Sequence, residues 1–260
     1  MARLFVTGLG GFLGTELGRR ARAAGWQVDG IAGARELDVR DAAGVGAAVH
    51  AAAPDVVVHT AYRQDDASVI VEGTRAVARA AADAGARLVH LSTDLVFSGR
   101  QEAPIAEDAQ PDPVSAYGEA KLAAERLCPP GALIVRTSLL YGGAAPSHHE
   151  RAILDAADGA GGMAFFTDEL RCPTAVGDLA SALLELARDT VAGPLHVAGP
   201  DAVSRYEFAR MVAARHGRDA GALRSRRADP GRPLRVVLDS GRARALVATR
   251  LRGVREVLGG

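Results

Sequence analysis

The sequence predicts an α/β fold: a Rossmann-type, doubly wound parallel sheet carrying a small C-terminal substrate lobe. Three observations predict it. Short β-branched runs alternate with Ala-rich helical stretches through the first half of the 260-residue chain. Those runs lack polar alternation, as strands buried on both faces do. A glycine-rich turn joins the first strand to the first helix, where such sheets bind dinucleotides.

Taken in order, Leu4 to Thr7 reads as a strand, Phe12 to Ala24 as a helix and Gln27 to Ile31 as a strand. Asp41 to Ala52 reads as helix, Asp55 to Val58 as strand, Ser68 to Ala84 as helix and Arg87 to Leu91 as strand. Val114 to Leu127 is a further helix and Leu133 to Arg136 a further strand. Pro/Gly-rich stretches at 129–131, 142–146 and 230–233 mark loops within one compact unit. Residues 1–145 are expected to form the dinucleotide-binding domain and 146–260 most of the lobe. Segments within about 172–198 are expected to return to the first domain, with Pro194 to Val197 as an added strand.

Composition excludes several functions. Lys and Arg together number 31, as do Asp and Glu, so no basic excess points to nucleic acid or an anionic membrane. The longest apolar runs, such as Pro54 to Val58, are strand-length and far short of a bilayer span. The start runs directly into a strand and leaves no room for a signal peptide, so a cytoplasmic location is expected. Cys128 and Cys172 lie far apart with no metal-ligand spacing, and both read as reduced thiols. No metal is expected. The chain holds no asparagine, and Lys121 is its single lysine.

Thr7-Gly8-Leu9-Gly10-Gly11-Phe12-Leu13-Gly14 sets Gly8, Gly11 and Gly14 at three-residue intervals between strand and helix. Such glycines let the backbone approach a pyrophosphate, whose charge is favoured at a helix N-terminus. The tip of the next strand, running into Ala32-Gly33-Ala34-Arg35, shows no acid to take the ribose hydroxyls of NAD. Arg35 stands close enough to pair with a 2′-phosphate, so NADP(H) is expected, with NAD(H) as the alternative. Asp38 and Val39 are placed at the adenine edge.

Tyr117 and Lys121 are four residues apart on a predicted helix and therefore share a face. A nearby ammonium favours phenolate and would lower the phenol pKa, fitting Tyr117 to donate a proton to a carbonyl as hydride arrives. Lys121 would also anchor the nicotinamide ribose. Arg would substitute poorly, because its guanidinium is not a compact point charge. Ser92-Thr93-Asp94-Leu95 follows the fourth strand, at the carboxyl edge where ligands bind. A hydroxyl there can hydrogen-bond a substrate carbonyl.

These segments together resemble the extended short-chain dehydrogenase/reductases and, within them, the dTDP-4-dehydrorhamnose reductase family. The likeness covers nearly the whole chain. It includes Pro54 to Tyr62, Arg136 to Gly142, Pro173 to Ala180, Leu195 to Gly199 and Ser204 to Ala209. It implies Thr93, Tyr117 and Lys121 as the catalytic set, with a nicotinamide cofactor reducing a 4-keto-6-deoxysugar on a dTDP carrier. It places Thr60, Ala61, Tyr62 and Ser92 with the cofactor, and Asp94, Leu95, Leu139 and His148 with the substrate. A nucleotide-sugar is thus the expected partner, and a homodimer is compatible with it. Against the family pattern, Leu139 stands for a sugar-touching Trp and Glu72 for an Asn. Glu169 and Arg171 break an Asp-Gln-x-Gly-x-Pro-Thr motif, and Val236 stands for a small polar residue. The pocket is therefore expected to prefer a sugar or ketone other than dTDP-4-dehydrorhamnose. The same branch includes a non-catalytic regulatory subunit of methionine adenosyltransferase, and related epimerases and dehydratases share the Tyr–Lys pair. These remain the alternatives.

Other residues carry competing readings. His148-His149-Glu150 reads as an ordinary helix start, its adjacent rings splayed too far apart for metal. Arg224 to Arg227 reads equally as a diphosphate grip or a solvated charged loop. Phe165-Phe166 reads as strand core.

Overall fold

The structure, a computed structural model, describes residues 1–160 and 162–259. Its first half runs β1 (Arg3–Thr7), α1 (Phe12–Ala23), β2 (Gln27–Ile31), α2 (Ala42–Ala52), β3 (Val56–His59), α3 (Ala67–Asp83) and β4 (Arg87–Thr93). A 3₁₀ turn at Asp94–Val96 leads to α4 (Ala116–Glu125) and β5 (Leu133–Thr137). Then come β6 (Leu140–Tyr141), α5 (His148–Ala157), β7 (Ala164–Phe166), β8 (Leu170–Arg171), β9 (Thr174–Ala175) and α6 (Val176–Leu186). The chain closes with β10 (Gly193–His196), β11 (Val203–Ser204), α7 (Arg205–Arg215), β12 (Arg224–Arg226), α8 (Gly241–Leu246) and α9 (Val254–Leu258).

The main sheet has strand order β10-β5-β4-β3-β1-β2, and each pair within it is parallel. β1 lies between β2 and β3, so the connections leave it in opposite directions and open a crevice at the strands' carboxyl ends. Side chains alternate although nearly all are apolar. Leu4 and Val6 of β1 enter one core with Leu13, Leu17, Val58 and Leu183, while Phe5 enters another with Val45, Val57, Val77 and Leu88. Leu17 is wholly buried there, and truncating such a residue to Ala typically costs about 2–5 kcal/mol.

Helix ends follow capping chemistry. Asp41 caps α2 through the Gly44 N–H at 3.0 Å, and Asp66 caps α3 through Ser68 and Val69. Asp41 and Ser68 were expected as first helical residues; Asp41 lies just outside as a cap, and α3 begins at Ala67 behind its own. α4 is shorter than expected, because Pro113 keeps the preceding backbone extended and Ser115 caps the helix. β4 runs two residues longer, to Thr93, which brings its end to the crevice.

The remaining elements pack around Tyr141, Ile153, Phe165, Phe208 and Val212. α5 and α7 both open on capping boxes, Ser147 with Glu150 and Ser204 with Glu207. Phe165 is buried in β7. Arg224–Arg226, read as part of a diphosphate grip or a charged loop, is not a loop but an exposed strand paired with β7. No helix among the described residues is long and apolar enough to cross a membrane.

Candidate active site

The glycine turn sits where β1 meets α1. Gly8 has φ +75°, a left-handed conformation that favours glycine. A Cβ on Gly14 would lie 2.0 Å from the Gly8 carbonyl oxygen, so only glycine lets helix and turn meet. Gly11 is the N-cap of α1, with no side chain over it, so the N–H groups of the first turn are free to point at an anion. Leu13 serves the cradle through its backbone alone, since its side chain is buried in the core. Phe12 is half-buried, its ring covered by the loop after β6, where a Cβ on Gly143 would come within 2.6 Å. This cradle fits a dinucleotide pyrophosphate.

Thr60 and Ala61 border the cradle after β3. Thr60 Oγ1 donates to the Thr7 carbonyl at 2.7 Å, and the Ala61 N–H donates to Thr7 Oγ1 at 3.4 Å. Tyr62 is exposed, its ring centroid 6.1 Å from that of Tyr117. Of the two residues expected at the adenine edge, Val39 is buried and Asp38 is gripped by Arg40, with Nη2 to Oδ2 at 2.6 Å; this holds the Asp38 carboxyl down at about 2. Arg35 is exposed in the loop after β2. The sequence shows no acid at that strand's tip, yet one reaches it. Glu36 turns back and accepts the Ala32 N–H at 2.7 Å, because the loop 33–36 coils tightly enough to return its side chain.

Tyr117 and Lys121 share the crevice-facing side of α4, which packs on the 3₁₀ turn after β4. Gly118 makes this possible: a Cβ there would stand 2.2 Å from the Leu95 carbonyl oxygen. Sequence reasoning passed over Gly118, although a glycine inside a predicted helix is itself a signal of close approach. Thr93 Oγ1 donates to Asp94 Oδ1 at 3.1 Å and accepts the Leu95 N–H at 3.1 Å. Asp94 in turn accepts from Ser138 Oγ at 2.6 Å and lies 3.8 Å from Arg171 Nε. Burial pushes the Asp94 carboxyl up, with Arg171 opposing.

Two expectations need correction here. Lys121 does not lower the Tyr117 pKa: burial raises it, aided by Tyr62 and Asp94, with only the Thr93 hydroxyl opposing. The Lys121 ammonium is instead spent on the Leu91 carbonyl at 2.5 Å, and burial brings its own pKa down to about 8. Ser92 also turns away from the crevice. Its hydroxyl donates to Glu125 at 2.5 Å, within a buried pair between Glu125 and Arg136, because alternation along β4 sends Ser92 and Thr93 to opposite faces.

Of the residues expected at the substrate, Leu95 lies in the turn under α4 with its N–H capped by Thr93, and Leu139 is partly buried against the core around Tyr141 and Phe208. His148 begins α5 as an ordinary helix start, but its ring does not splay from His149. Their centroids stand 3.8 Å apart, both rings feeling the same Arg205 charge.

With this geometry in view, residues 2–259 match the family described as the RmlD substrate binding domain. The chain belongs to that family. Among its RmlD-family relatives is a dTDP-4-dehydrorhamnose reductase of Mycolicibacterium smegmatis, 34% identical over 98% of this chain and 84% of the relative. A dTDP-4-keto-6-deoxy-D-glucose reductase of Streptomyces niveus is 32% identical over 85% of this chain and 81% of the relative. A solved dTDP-4-dehydrorhamnose reductase from Clostridium acetobutylicum superposes with a TM-score of 0.87 at 24% identity, covering 98% of this chain and 96% of that one. A Bacillus anthracis dTDP-4-dehydrorhamnose reductase in complex with NADP gives 0.86 at 24% identity, covering 99% and 97%. These structures share the RmlD-family fold described here.

Proposed function

We propose that this chain is an NADP(H)-dependent ketoreductase, with NAD(H) as the alternative cofactor, acting on a dTDP-activated 4-keto-6-deoxysugar. One observation carries the reading. Tyr117 and Thr93 meet at the carboxyl end of β4, with the chain's only lysine one helical turn behind the tyrosine. The glycine cradle beside them and the reductase names of the relatives support it.

A nicotinamide held in this crevice supplies the hydride that reduces the ketone carbon. Tyr117, kept protonated by burial, gives its phenolic proton to the oxygen as the carbonyl becomes an alcohol. Thr93 would hold that oxygen from the other side by turning its hydroxyl proton from Asp94 to the substrate. Lys121, one helical turn behind and held against the Leu91 carbonyl, would orient the ribose. Atoms and charge balance, since one hydride and one proton are added across one carbonyl.

The test is cofactor oxidation followed with a panel of keto-sugar nucleotides and both reduced nicotinamides. Consumption of NADPH with at least one dTDP-4-keto-6-deoxysugar, lost in Tyr117→Phe, is the expected result. Tight dinucleotide binding without turnover of any member would overturn it in favour of a regulatory subunit.

A further inference from the structure

Beneath the crevice, a buried cluster joins α4 to the ends of β4 and β5 and takes no part in the proton transfer described above. Its centre is Glu125, the last residue of α4, one helical turn after Lys121 on the same face. Both side chains are buried. Arg136 of β5 grips the carboxylate with two bonds, Nε to Oε1 at 3.0 Å and Nη2 to Oε2 at 2.7 Å. The Ser92 hydroxyl donates to the same Oε1 at 2.5 Å. Three elements therefore meet at one carboxylate.

The junction lies directly behind the reacting groups. Ser92 precedes Thr93 in β4, and Leu91 before it supplies the carbonyl that takes the Lys121 ammonium at 2.5 Å. In the sheet Arg136 stands beside Ser92, and Thr137 beside Thr93. Glu125 thus holds the helix that carries Tyr117 and Lys121 against the strand end that carries Thr93. The Arg136 guanidinium is committed to it: the remaining Nη1 has no hydrogen-bond partner among the described residues.

The charges lead to the same residue. The other ionisable groups near Lys121 are His59 on β3, His90 on β4, Tyr117 on α4 and Cys128 just after it. Burial keeps all four neutral where Lys121 titrates, at about 8. His59 is pushed down to about 3 and His90 well below its ordinary value, while the Tyr117 phenol and the Cys128 thiol, the latter at about 12, are pushed up. Glu125 is the carboxylate that favours the Lys121 charge against the cost of burial. We propose that Glu125 is a positioning residue of the site: it seats α4 on the ends of β4 and β5 and supplies the counter-charge of the Lys121 ammonium. Its place in the reaction rests on the reductase reading above; its hold on the ammonium does not.

Lys121 is the chain's only lysine, so protein labelled with ¹³C at the lysine Cε gives one lysine NMR signal, whose shift follows that ammonium without any substrate. In Glu125→Gln its titration midpoint should fall by about 1 pH unit, the low end for losing an opposite charge a few ångströms away. Arg136→Gln breaks the same pair but removes a like charge and frees the carboxylate, so its midpoint should hold or rise. A merely structural role would lower Tm in both variants and move both midpoints together. Glu125→Leu combined with Arg136→Leu leaves no unpaired buried ion, serves where the single variants do not fold, and should still show the fall. An unmoved midpoint on loss of Glu125, or a fall in Arg136→Gln, would overturn the counter-charge. In turnover the alkaline limb of kcat/KM should move with the signal; a limb that stays while the midpoint moves would overturn the role of Glu125 in the reaction. Wild-type protein that shows the Glu125 effect yet reduces no keto-sugar would overturn the reductase reading and leave the counter-charge standing.

Discussion

The backbone of Gly118 rests against the carbonyl oxygen of Leu95, so close that a Cβ would come within 2.2 Å of it. Through this contact α4 and the turn after β4 are fixed as one body, and Tyr117 is fixed relative to Thr93. Two effects oppose each other in Gly118→Ala. Replacing a helical glycine gains about 0.5–1 kcal/mol, whereas overpacking costs about 1–3 kcal/mol. The steric cost wins at this distance. The variant should melt lower than wild type and lose about 100-fold in kcat, as a misplacement of roughly 1 Å can cause. A raised Tm with kcat intact would show that the contact relaxes freely.

Tyr117→Phe removes only a hydroxyl that no other side chain depends on for folding. Turnover should fall by about 10²–10⁴-fold, the usual worth of a general acid, with dinucleotide affinity kept. Combined with Lys121→Met, the loss should be far less than the product of the single losses, because the pair acts as a unit. Near-wild-type activity in Tyr117→Phe would mean that Thr93 or a water supplies the proton.

Leu139 packs against the lobe core where the family's sugar-touching Trp is expected, and so presents a smaller, aliphatic wall. The predicted consequence is weak use of dTDP-4-dehydrorhamnose itself, with kcat/KM below about 10⁴ M⁻¹s⁻¹. Steady-state comparison with other 4-keto-6-deoxysugar nucleotides checks it; ordinary efficiency with that sugar would contradict it.

The frame of this site was legible from local pattern. Buried strands, a glycine cradle and the Tyr117/Lys121 spacing depend on residues near in sequence, so periodicity and turn chemistry reveal them. What stayed hidden depends on where long side chains go. Glu36 folds back to the β2 tip, Lys121 reaches the Leu91 carbonyl, and Ser92 faces Glu125 rather than the cofactor.

Lys121 makes pH a probe of the site. Its pKa is about 8 when folded and near its ordinary value of 10.5 when unfolded. Between those values the unfolded chain binds more protons, so stability should rise with pH from about 8 to 10.5. Below pH 8 the full cost of burying the ammonium is present. Activity should run the other way, kcat/KM falling above about pH 8 as the ammonium is lost. Melting and rate profiles across pH 7–10 for wild type and Lys121→Met check both. If the stability slope persists in Lys121→Met, another group is responsible.

Cofactor choice turns on Arg35 and Glu36, which place opposite charges side by side after β2. Arg35 favours a 2′-phosphate, while the Glu36 carboxylate favours ribose hydroxyls and repels that phosphate. The contest is decided by reach. Glu36 already engages the Ala32 N–H, whereas the Arg35 side chain extends into solvent and is free to meet the phosphate. Arg35→Ala should therefore raise the Kd for NADPH by about 10-fold and leave NADH unchanged, the low end for an exposed charged hydrogen bond. Glu36→Gln should do the reverse, tightening NADPH several-fold and weakening NADH, with both effects shrinking at high salt. Fluorescence titration of the two nucleotides against wild type and both variants separates the contributions. If Arg35→Ala weakens the two cofactors equally, the arginine acts on something they share, and the preference for NADPH has no basis at this loop.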